Sequence, residues 1–330
     1  MTIKDVAALS GVSPAAVSRY LNGGSLSEEK RQRIQRTIDE TGYRPTAAAQ
    51  MMRVGYQRQI GVLVPKLHSD AVVLVTAGIA RRIQEDGFLS VLGVTHANEQ
   101  KELEYLSIME ANKAAGVIIM GTGVSARRIE AYKSIGIPLV VTGQDIPGLA
   151  CVYHDDYGAA HELMKRIIEA GRKNIAYIGV TERDPQAGRA RHQGARTAYK
   201  EADISSGCFL TGIADFTADS GYGVMNELLK QNDDIDGVLC ATDTIAVGAT
   251  RALIEAGKNP GTDVSIAGIG DSWMDEYSKV PLTTARLFFK QCGEDAAGML
   301  ISFLRGMEME EAVPTRQLCL DYEIVDRGSI

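Results

Sequence analysis

The residue types that hold metals or perform catalysis occur in this chain, but their spacing suits neither task. The five histidines stand at positions 68, 96, 154, 161 and 192, without the spacing of a metal site. His154 and His161, seven residues apart, are expected on the solvated edge of a helix. Asp155-Asp156 resembles a metal-binding carboxylate pair, although a cap for the helix that begins there explains it better.

Nucleotide-binding and hydrolase motifs are missing as well. The sequence has no phosphate-binding loop, no zinc-protease motif and no serine-elbow motif. Gly121-Thr122-Gly123 is a glycine turn without the rest of a dinucleotide fingerprint. We therefore predict no enzyme, no metal and no cofactor.

Composition and length narrow the class of protein. With 330 residues, 45% of them apolar, the chain has enough material for two domains with buried cores. The longest apolar runs, such as 60–65 and 115–120, are far shorter than the roughly 20 residues of a membrane helix. No basic-then-apolar leader opens the sequence, and the five cysteines are scattered and odd in number. We expect a cytoplasmic protein without membrane contact.

Charge is distributed unevenly along the chain. Residues 1–58 carry nine basic and five acidic side chains, a net charge of +4, whereas the whole chain is −7. A basic segment on an acidic body is typical of nucleic-acid contact by that segment alone. The alternative from charge alone is an ordinary solvated helical face.

The basic segment has the pattern of a helix-turn-helix. The first helix is predicted over about residues 3–10, and Gly11-Val12-Ser13 separates it from a second that begins at Pro14. A third helix is predicted from about residue 27 to Gly42. Two short helices in this arrangement place the second in the DNA major groove, where Arg19 can contact guanine or phosphate. A generic three-helix cap is the alternative.

Residues 43–53 follow this head. Pro45 and Thr46 can begin a helix, and the alanines after them favour its continuation. The stretch is shorter than the ~12–15 residues that an isolated helix needs, so it would order only on a partner. Residues 46–58 are therefore predicted to be a hinge helix with a linker, the alternative being a plain interdomain linker.

These residues resemble the amino terminus of the lactose-repressor (LacI/GalR) family. The resemblance rests on Thr2-Ile3-Lys4-Asp5-Val6-Ala7, Gly11-Val12-Ser13, Val17-Ser18-Arg19-Tyr20-Leu21-Asn22 and Gly42-Tyr43-Arg44-Pro45. It implies a homodimer that binds a palindromic double-stranded DNA operator. The implied DNA contacts are Thr2, Ile3, Pro14, Ala15, Ala16, Ser18, Arg19, Asn22, Thr46, Ala49 and Met52. Met52 stands where the family has a wedging leucine, and Ala16 where it often has threonine.

The rest of the chain alternates between strand-like and helical patterns. From residue 59 onward about eight such pairs follow one another, which indicates βαβ units and parallel sheets. We predict an α/β fold, a helix-turn-helix head (1–45) on a two-lobed body (59–330) like a periplasmic binding protein. The resemblance implies strand exchange, with an N-lobe of about 59–156 and 284–311 and a C-lobe of about 157–283 and 312–330. A ligand cleft is then expected between the lobes, at the carboxyl ends of the strands.

The resemblance also implies the residues that hold the ligand. Arg191, in Arg191-His192-Gln193-Gly194, would clamp sugar hydroxyls, and Phe216 would pack against a sugar face. Thr242 and Asp243 directly follow a strand and would be polar contacts, although Asp243 could equally cap the next helix. The remaining implied contacts are Asp271 and Phe289, the latter with core packing as its alternative.

Lys66 and Gln144 complete the predicted site. Lys66 would suit an anionic ligand such as a sugar phosphate, or it is a solvated loop lysine. The stretches 151–159 and 239–249 look most like the trehalose and sucrose repressors of the family, and there Gln144 could face the sugar.

The function predicted from the sequence is a transcriptional regulator, a repressor of a carbohydrate-utilisation operon controlled by a sugar or sugar phosphate, with a disaccharide favoured. The sequence also leaves two alternative functions. One is a sugar-binding sensor whose head contacts a protein, and the other is a cytoplasmic α/β enzyme that acts on sugars.

Overall fold

The structure is a computed structural model, and it describes residues 1–21, 24–43, 55–204 and 206–330. The chain divides into two compact units, Met1–Arg58 and Gln59–Ile330. The predicted contacts Asn22, Thr46, Ala49 and Met52 lie outside the described residues, as does most of the predicted hinge helix. The linker ends earlier than predicted, because the first strand begins at Gln57.

Three short helices make up the first unit. They are α1 (Ile3–Ser10), α2 (Pro14–Leu21) and α3 (Glu28–Thr41). Thr2 and Asp5 form a capping box at the start of α1, and Gly11 ends that helix in the left-handed conformation with φ 61°. Val6, Val17 and Ile34 are fully buried at the contact of the three helices. Arg33 donates to the Gly11 carbonyl over 3.0 Å and so ties α3 to the turn between α1 and α2.

The body contains two six-stranded sheets, one in each lobe. The N-lobe sheet has the order β11-β5-β4-β3-β1-β2. Its strands are β1 (Gln57–Val64), β2 (Leu89–Val94), β3 (Ala114–Met120), β4 (Leu139–Thr142), β5 (Cys151–His154) and β11 (Gln317–Leu320). Its helices are α4 (Asp70–Glu85), α5 (Glu99–Ala111), α6 (Ala126–Ser134) and α12 (Phe289–Met309).

The C-lobe repeats this plan with the order β12-β10-β9-β8-β6-β7. Its strands are β6 (Asn174–Gly179), β7 (Cys208–Ile213), β8 (Gly237–Cys240), β9 (Ser265–Ile269), β10 (Thr283–Leu287) and β12 (Tyr322–Val325). Its helices are α7 (Asp156–Glu169), α8 (Arg191–Glu201), α9 (Ala218–Gln231), α10 (Asp243–Glu255) and α11 (Met274–Tyr277), with a π-helical segment, Pro185–Ala190, leading into α8. Strand β12 pairs antiparallel with β10, whereas the neighbouring pairs β9–β10, β8–β9 and β6–β8 are parallel.

The chain passes between the lobes three times, and two of the predicted crossing points need correction. Residues 284–287 were assigned to the N-lobe, but β10 pairs with β9 and β12 and therefore belongs to the C-lobe. Residues 312–320 were assigned to the C-lobe, but β11 pairs with β5 in the N-lobe sheet. The crossings lie at 154–156, 287–289 and 320–322, and the Asp155 amide donates to the Leu320 carbonyl over 2.9 Å.

Glycines bring helices into close contact within each lobe. A side chain at Gly78 of α4 would lie 2.1 Å from the Lys290 carbonyl oxygen of α12. In the C-lobe, a side chain at Gly248 of α10 would lie 1.8 Å from the Ala218 carbonyl oxygen of α9. These glycines allow backbone to pack on backbone, which fixes the helices in each lobe.

No helix in the described part of the chain is long and apolar enough to cross a membrane.

Candidate functional site

A cavity of about 930 Å³ lies between the two lobes, at the carboxyl ends of the parallel strands. Open α/β sheets bind ligands at this edge because the loops after neighbouring strands converge there. The predicted ligand residues that line it are Lys66, Gln144, Arg191, Phe216, Thr242, Asp243 and Phe289. The structure therefore brings together all of the predicted set except Asp271.

Arg191 is buried at the floor of the cavity, with 6% of its surface exposed. It is the first residue of α8, directly after the π-helical segment. Its Nε donates to Oδ1 of Asp156 over 2.6 Å, and its guanidinium also donates to the Ala241 carbonyl. The arginine thus joins the starts of α7 and α8 to the end of β8, with part of its donor capacity already used inside the protein.

Lys66 and Phe216 meet across the cavity. Lys66 follows β1 in the N-lobe, Phe216 follows β7 in the C-lobe, and Nζ of the lysine lies 4.2 Å from the centre of the phenyl ring. This is a cation–π contact. Burial lowers the pKa of Lys66, and the carboxylate of Asp215 opposes that shift. Lys66 is therefore a partly buried cavity residue and not a fully solvated loop lysine.

Gln144 and Asp184 also join the lobes. The amide Nε2 of Gln144 donates to Oδ1 of Asp184 over 3.0 Å and to the Gly121 carbonyl over 3.3 Å. Asp184 accepts two further bonds from the backbone of Gln186 and Ala187 and so caps the π-helical segment. Burial raises the pKa of Asp184, while these hydrogen bonds act in the opposite direction. Sequence reasoning missed Asp184, although an aspartate before Pro185 is a recognisable cap signal.

His154 lies in the cavity wall, contrary to the prediction from the sequence. It was placed on a solvated helix edge, but it is the last residue of β5, is 4% exposed and lines the cavity. Its ring meets that of Phe289 edge to face, with centres 5.3 Å apart. Burial lowers the pKa of His154, opposed by Asp156 and by a hydrogen bond with the Phe288 backbone. Within the described residues, its Nε2 atom has no hydrogen-bond partner.

Asp243 lines the cavity, but its carboxylate points into the C-lobe. Its oxygens accept hydrogen bonds from the Thr284 hydroxyl (2.6 Å) and the Ser272 amide (3.0 Å). Asp275, fully buried, lies beside it, and burial with the neighbouring negative charge raises the pKa of Asp275. The pair therefore retains a proton near neutral pH. The cap of α10 is Thr242, whose hydroxyl accepts from the Ile245 amide over 3.3 Å, so Asp243 is not the helix cap.

Asp271 is the predicted ligand residue that the structure places elsewhere. It does not line the cavity, and its carboxylate oxygens accept from Arg286 (2.6 Å) and Arg327 (2.5 Å). The two guanidinium groups lower its pKa against the effect of burial. The carboxylate of Asp271, whose φ is 57°, is held by these two arginines and not by the cavity.

Sequence reasoning also missed a direct bond between the lobes. The Ser272 hydroxyl in the C-lobe donates to the Asp70 carboxylate in the N-lobe over 2.5 Å. Both residues line the cavity. Neither belongs to a recognisable motif, since only the fold brings positions 70 and 272 together.

In the head, most of the described candidates for DNA contact are on its surface. Pro14, Ala15 and Arg19 are exposed on α2, and Ser18 is half-buried. Ala16 was expected to contact DNA but is only 6% exposed, because it lies with Val17 on the buried face of α2. Thr2 is exposed and its side chain caps α1, whereas Ile3 packs partly against the head core.

Known protein families and curated relatives match both the head and the body of this chain. The family model described as bacterial regulatory proteins, lacI family, matches residues 2–46, and the one described as a periplasmic binding protein-like domain matches residues 164–330. Among curated relatives, the HTH-type transcriptional regulator TreR of Salmonella typhimurium is 29% identical over 93% of this chain and 94% of that protein. The sucrose operon repressor of Staphylococcus xylosus is 27% identical over 94% and 96%.

A solved structure supports the same assignment. The transcriptional regulator CelR–cellobiose complex superimposes with a TM-score of 0.75 at 26% identity and covers 100% of this chain and 99% of that one. Head and body are thus both matched over nearly their whole length. The chain belongs to the lacI family of bacterial regulatory proteins.

Proposed function

We propose that this protein is a repressor of a carbohydrate-utilisation operon, working in the bacterial cytoplasm under the control of a sugar bound between its lobes. The observation that carries the proposal is the cavity, which offers buried polar groups beside the rings of Phe216 and Phe289. Polar groups next to aromatic faces suit a ligand with hydroxyls on its rim and C–H groups on its faces. The relatives are described as regulators and repressors, and one structure holds cellobiose.

The DNA-binding part of the proposal rests on the head. Arg19 is an exposed guanidinium on α2, the second helix of the helix-turn-helix. A homodimer would place two such helices on a palindromic operator. Because phosphate contacts release counterions, operator affinity should fall steeply with salt.

Sugar binding would control DNA binding through the angle between the lobes. Lys66–Phe216, Gln144–Asp184 and Asp70–Ser272 each pair one residue from either lobe around the cavity. A sugar that contacts both lobes favours one lobe arrangement over others. Such coupling is typically ~1–3 kcal/mol, so the sugar should change operator affinity by roughly 5–150-fold.

The test is selection of bound duplexes from a random DNA pool at near-physiological salt, repeated with trehalose, sucrose, cellobiose and their phosphates. We expect a palindromic site whose recovery changes with one of these sugars. Arg19→Ala should abolish the selected site, whereas Arg36→Ala, which removes another exposed charge from α3, should retain it. Recovery of no site under any condition would contradict the proposal and favour a sensor that acts on a protein.

A further inference from the structure

Asp275 is a fully buried carboxyl group that meets no hydrogen-bond donor among the described residues. Neither of its oxygens has a donor, and the residue is 0% exposed. The group within hydrogen-bonding reach is the buried carboxyl of Asp243. Buried polar atoms in folded proteins are nearly always hydrogen-bonded, and two carboxylates can bond to each other only through a shared proton. Asp275 therefore depends on that proton for its hydrogen bond.

Backbone atoms at the end of β9 cover the carboxylate of Asp243. A side chain at Gly268 would lie 2.3 Å from its Oδ1, and one at Gly270 would lie 2.8 Å from its Oδ2. The same two oxygens accept hydrogen bonds from the Thr284 hydroxyl and the Ser272 amide. Solvent is thus kept from Asp243, which is 3% exposed, and cannot stabilise a second negative charge beside it.

The charged and titratable groups that face the pair do not replace the proton. In the C-lobe they are Asp271 in the same loop, Arg327 after β12, Arg191 at the start of α8 and the Cys240 thiol at the end of β8. On the N-lobe side the group is Asp70, a further carboxylate. Arg327 is bound to Asp271 over 2.5 Å and Arg191 to Asp156 over 2.6 Å. Within the part of the chain that the structure describes, neither arginine donates a hydrogen bond to the pair.

The shared proton is held across neutral pH. Burial, together with the charge of Asp243, raises the pKa of Asp275 to about 9. A group whose pKa is raised on folding stabilises the fold at low pH and loses this contribution as pH rises through the folded pKa. Above that pH, two buried carboxylates lie side by side without a proton between them.

Asp243 and Asp275 together hold the turn 272–275, which leads into α11. The Ser272 amide donates to the carboxylate of Asp243 over 3.0 Å and so fixes the start of the turn. The Asp275 amide donates to the Ser272 carbonyl over 3.0 Å and closes the turn. The shared proton fixes its end. Loss of the proton replaces this second attachment by repulsion between two carboxylates.

This turn also carries a contact between the lobes. The Ser272 hydroxyl donates to the carboxylate of Asp70 in the N-lobe over 2.5 Å. A hydrogen bond between oxygens weakens steeply beyond about 3 Å, so a displacement of Ser272 by about 1 Å would break it. The contact therefore exists only while the turn keeps its position.

We infer that Asp275 is a positioning residue for the contact between the lobes, because the proton that it shares with Asp243 holds the turn 272–275 where Ser272 binds Asp70. Raising the pH removes the proton, releases the turn and changes the lobe arrangement. The consequence for DNA rests on the proposed function, whereas the position of the turn can be followed without it.

Trp273 makes the test selective, because it is the only tryptophan in the sequence and lies in this turn, 69% exposed. The measurement is its fluorescence anisotropy in the full-length protein. In the wild type the anisotropy should fall as pH is raised from about 7 to about 9.5, through the raised pKa of Asp275. Asp275→Asn donates to Asp243 but cannot ionise, so its anisotropy should stay at the wild-type neutral value. Effects of base on Tyr277, which is nearby in sequence, are common to both proteins.

Two variants control for general effects. Glu102→Gln removes a buried carboxylate of the N-lobe that is bound to Arg128 over 2.9 Å, and it should keep the wild-type pH profile. Asp275→Ala should show low anisotropy at neutral pH and no pH dependence. The inference is overturned if the wild type and Asp275→Asn have the same pH profile, or if Asp275→Ala is as rigid as the wild type at neutral pH. If Asp275→Ala does not fold, the comparison with Asp275→Asn decides.

Asp70→Ala tests the step from the turn to the N-lobe. It should lower the anisotropy of Trp273 in the wild type but have no further effect in Asp275→Ala, where the contact is already lost. Equal effects of Asp70→Ala in both backgrounds would show that Asp275 does not act through this contact, which overturns the inference.

Operator binding gives the functional readout. Asp70→Ala and Asp275→Ala should change operator affinity in the same direction by at least about fivefold, the lower end of typical coupling between sites. The pH dependence of operator affinity should be weaker in Asp275→Asn than in the wild type. If the wild type binds no DNA, the proposed function fails, while the anisotropy of Trp273 still decides this inference.

Discussion

Replacing Arg191 or Asp156 by alanine should destabilise the body strongly, whereas replacing both should cost much less than the sum. The two side chains are only 7% and 5% exposed, and the arginine Nε and terminal nitrogen both lie 2.6 Å from Oδ1 of Asp156. Each single variant leaves the other charge buried without its partner. The double variant leaves neither.

The expected size follows from this burial. Breaking a buried ion pair from one side costs about 3–5 kcal/mol, so each single variant should lose roughly that much unfolding free energy. For a body of this size, such a loss corresponds to a melting temperature lower by roughly 6–20 °C. The double variant should lose about as much as one single variant, which corresponds to a coupling energy of several kcal/mol.

The unfolding free energies of the wild type, the two single variants and the double variant can be measured by urea unfolding followed by circular dichroism. The transition of the body is fitted separately from that of the head. Arg191→Ala should also lose the sugar response while retaining operator binding. A coupling energy near zero would refute the reasoning. The unfolding free energies lost by the two single variants would then add up in the double variant, which would show that neither buried charge is stabilised by the other.

Three further predictions follow from the packing. Gly248→Ala should cost about 3 kcal/mol because its side chain would meet the Ala218 carbonyl, whereas Gly223→Ala on α9, with no atom within 4 Å, should be neutral or stabilising in the same urea assay. Asp275→Asn should raise the unfolding free energy of the body above that of the wild type, by a margin that grows from about pH 5 to 8. The reason is that the raised pKa of Asp275 makes the wild type lose stability as pH rises through this range. The same pH dependence of the unfolding free energy in both proteins would contradict this. Val17→Ala, at a fully buried site, should cost the head roughly 2 kcal/mol and weaken operator binding at elevated temperature, with the body transition unchanged.

Most of the fold could be predicted from the sequence because each element carries its own periodicity. The alternation of strands and helices predicted from residue 59 onward is confirmed by the mostly parallel sheets of the two lobes, since local apolar patterns define such elements. Lobe membership near the end of the chain could not be predicted as well. Residues 283–287 read as a strand in either sheet, and only their pairing with β9 and β12 decides between the lobes.

The residues of the ligand site divide in the same way, into those that a local motif identifies and those that only the fold brings into place. Arg191 and Phe216 sit in motifs that a resemblance can transfer, and both line the cavity. His154 has no motif of its own, and it lies at the cavity because it ends β5 beside Leu320 of β11, a pairing that the sequence does not display. Asp271 matched a motif but was placed wrongly, because Arg286 and Arg327 lie far from it in sequence and bind its carboxylate only in the folded protein.

The three crossings between the lobes also determine when each lobe can complete its folding during synthesis on the ribosome. Helix α12 and strand β11 belong to the N-lobe but are synthesised after almost the whole C-lobe. At ~5–20 residues per second, roughly 8–30 s separate the end of β5 at His154 from the end of α12 at Met309. During that time the N-lobe sheet lacks a covering helix and an edge strand. Each lobe gains its last strand, β11 or β12, within the same short carboxyl-terminal stretch, so a small truncation there would leave both lobes unfinished at once.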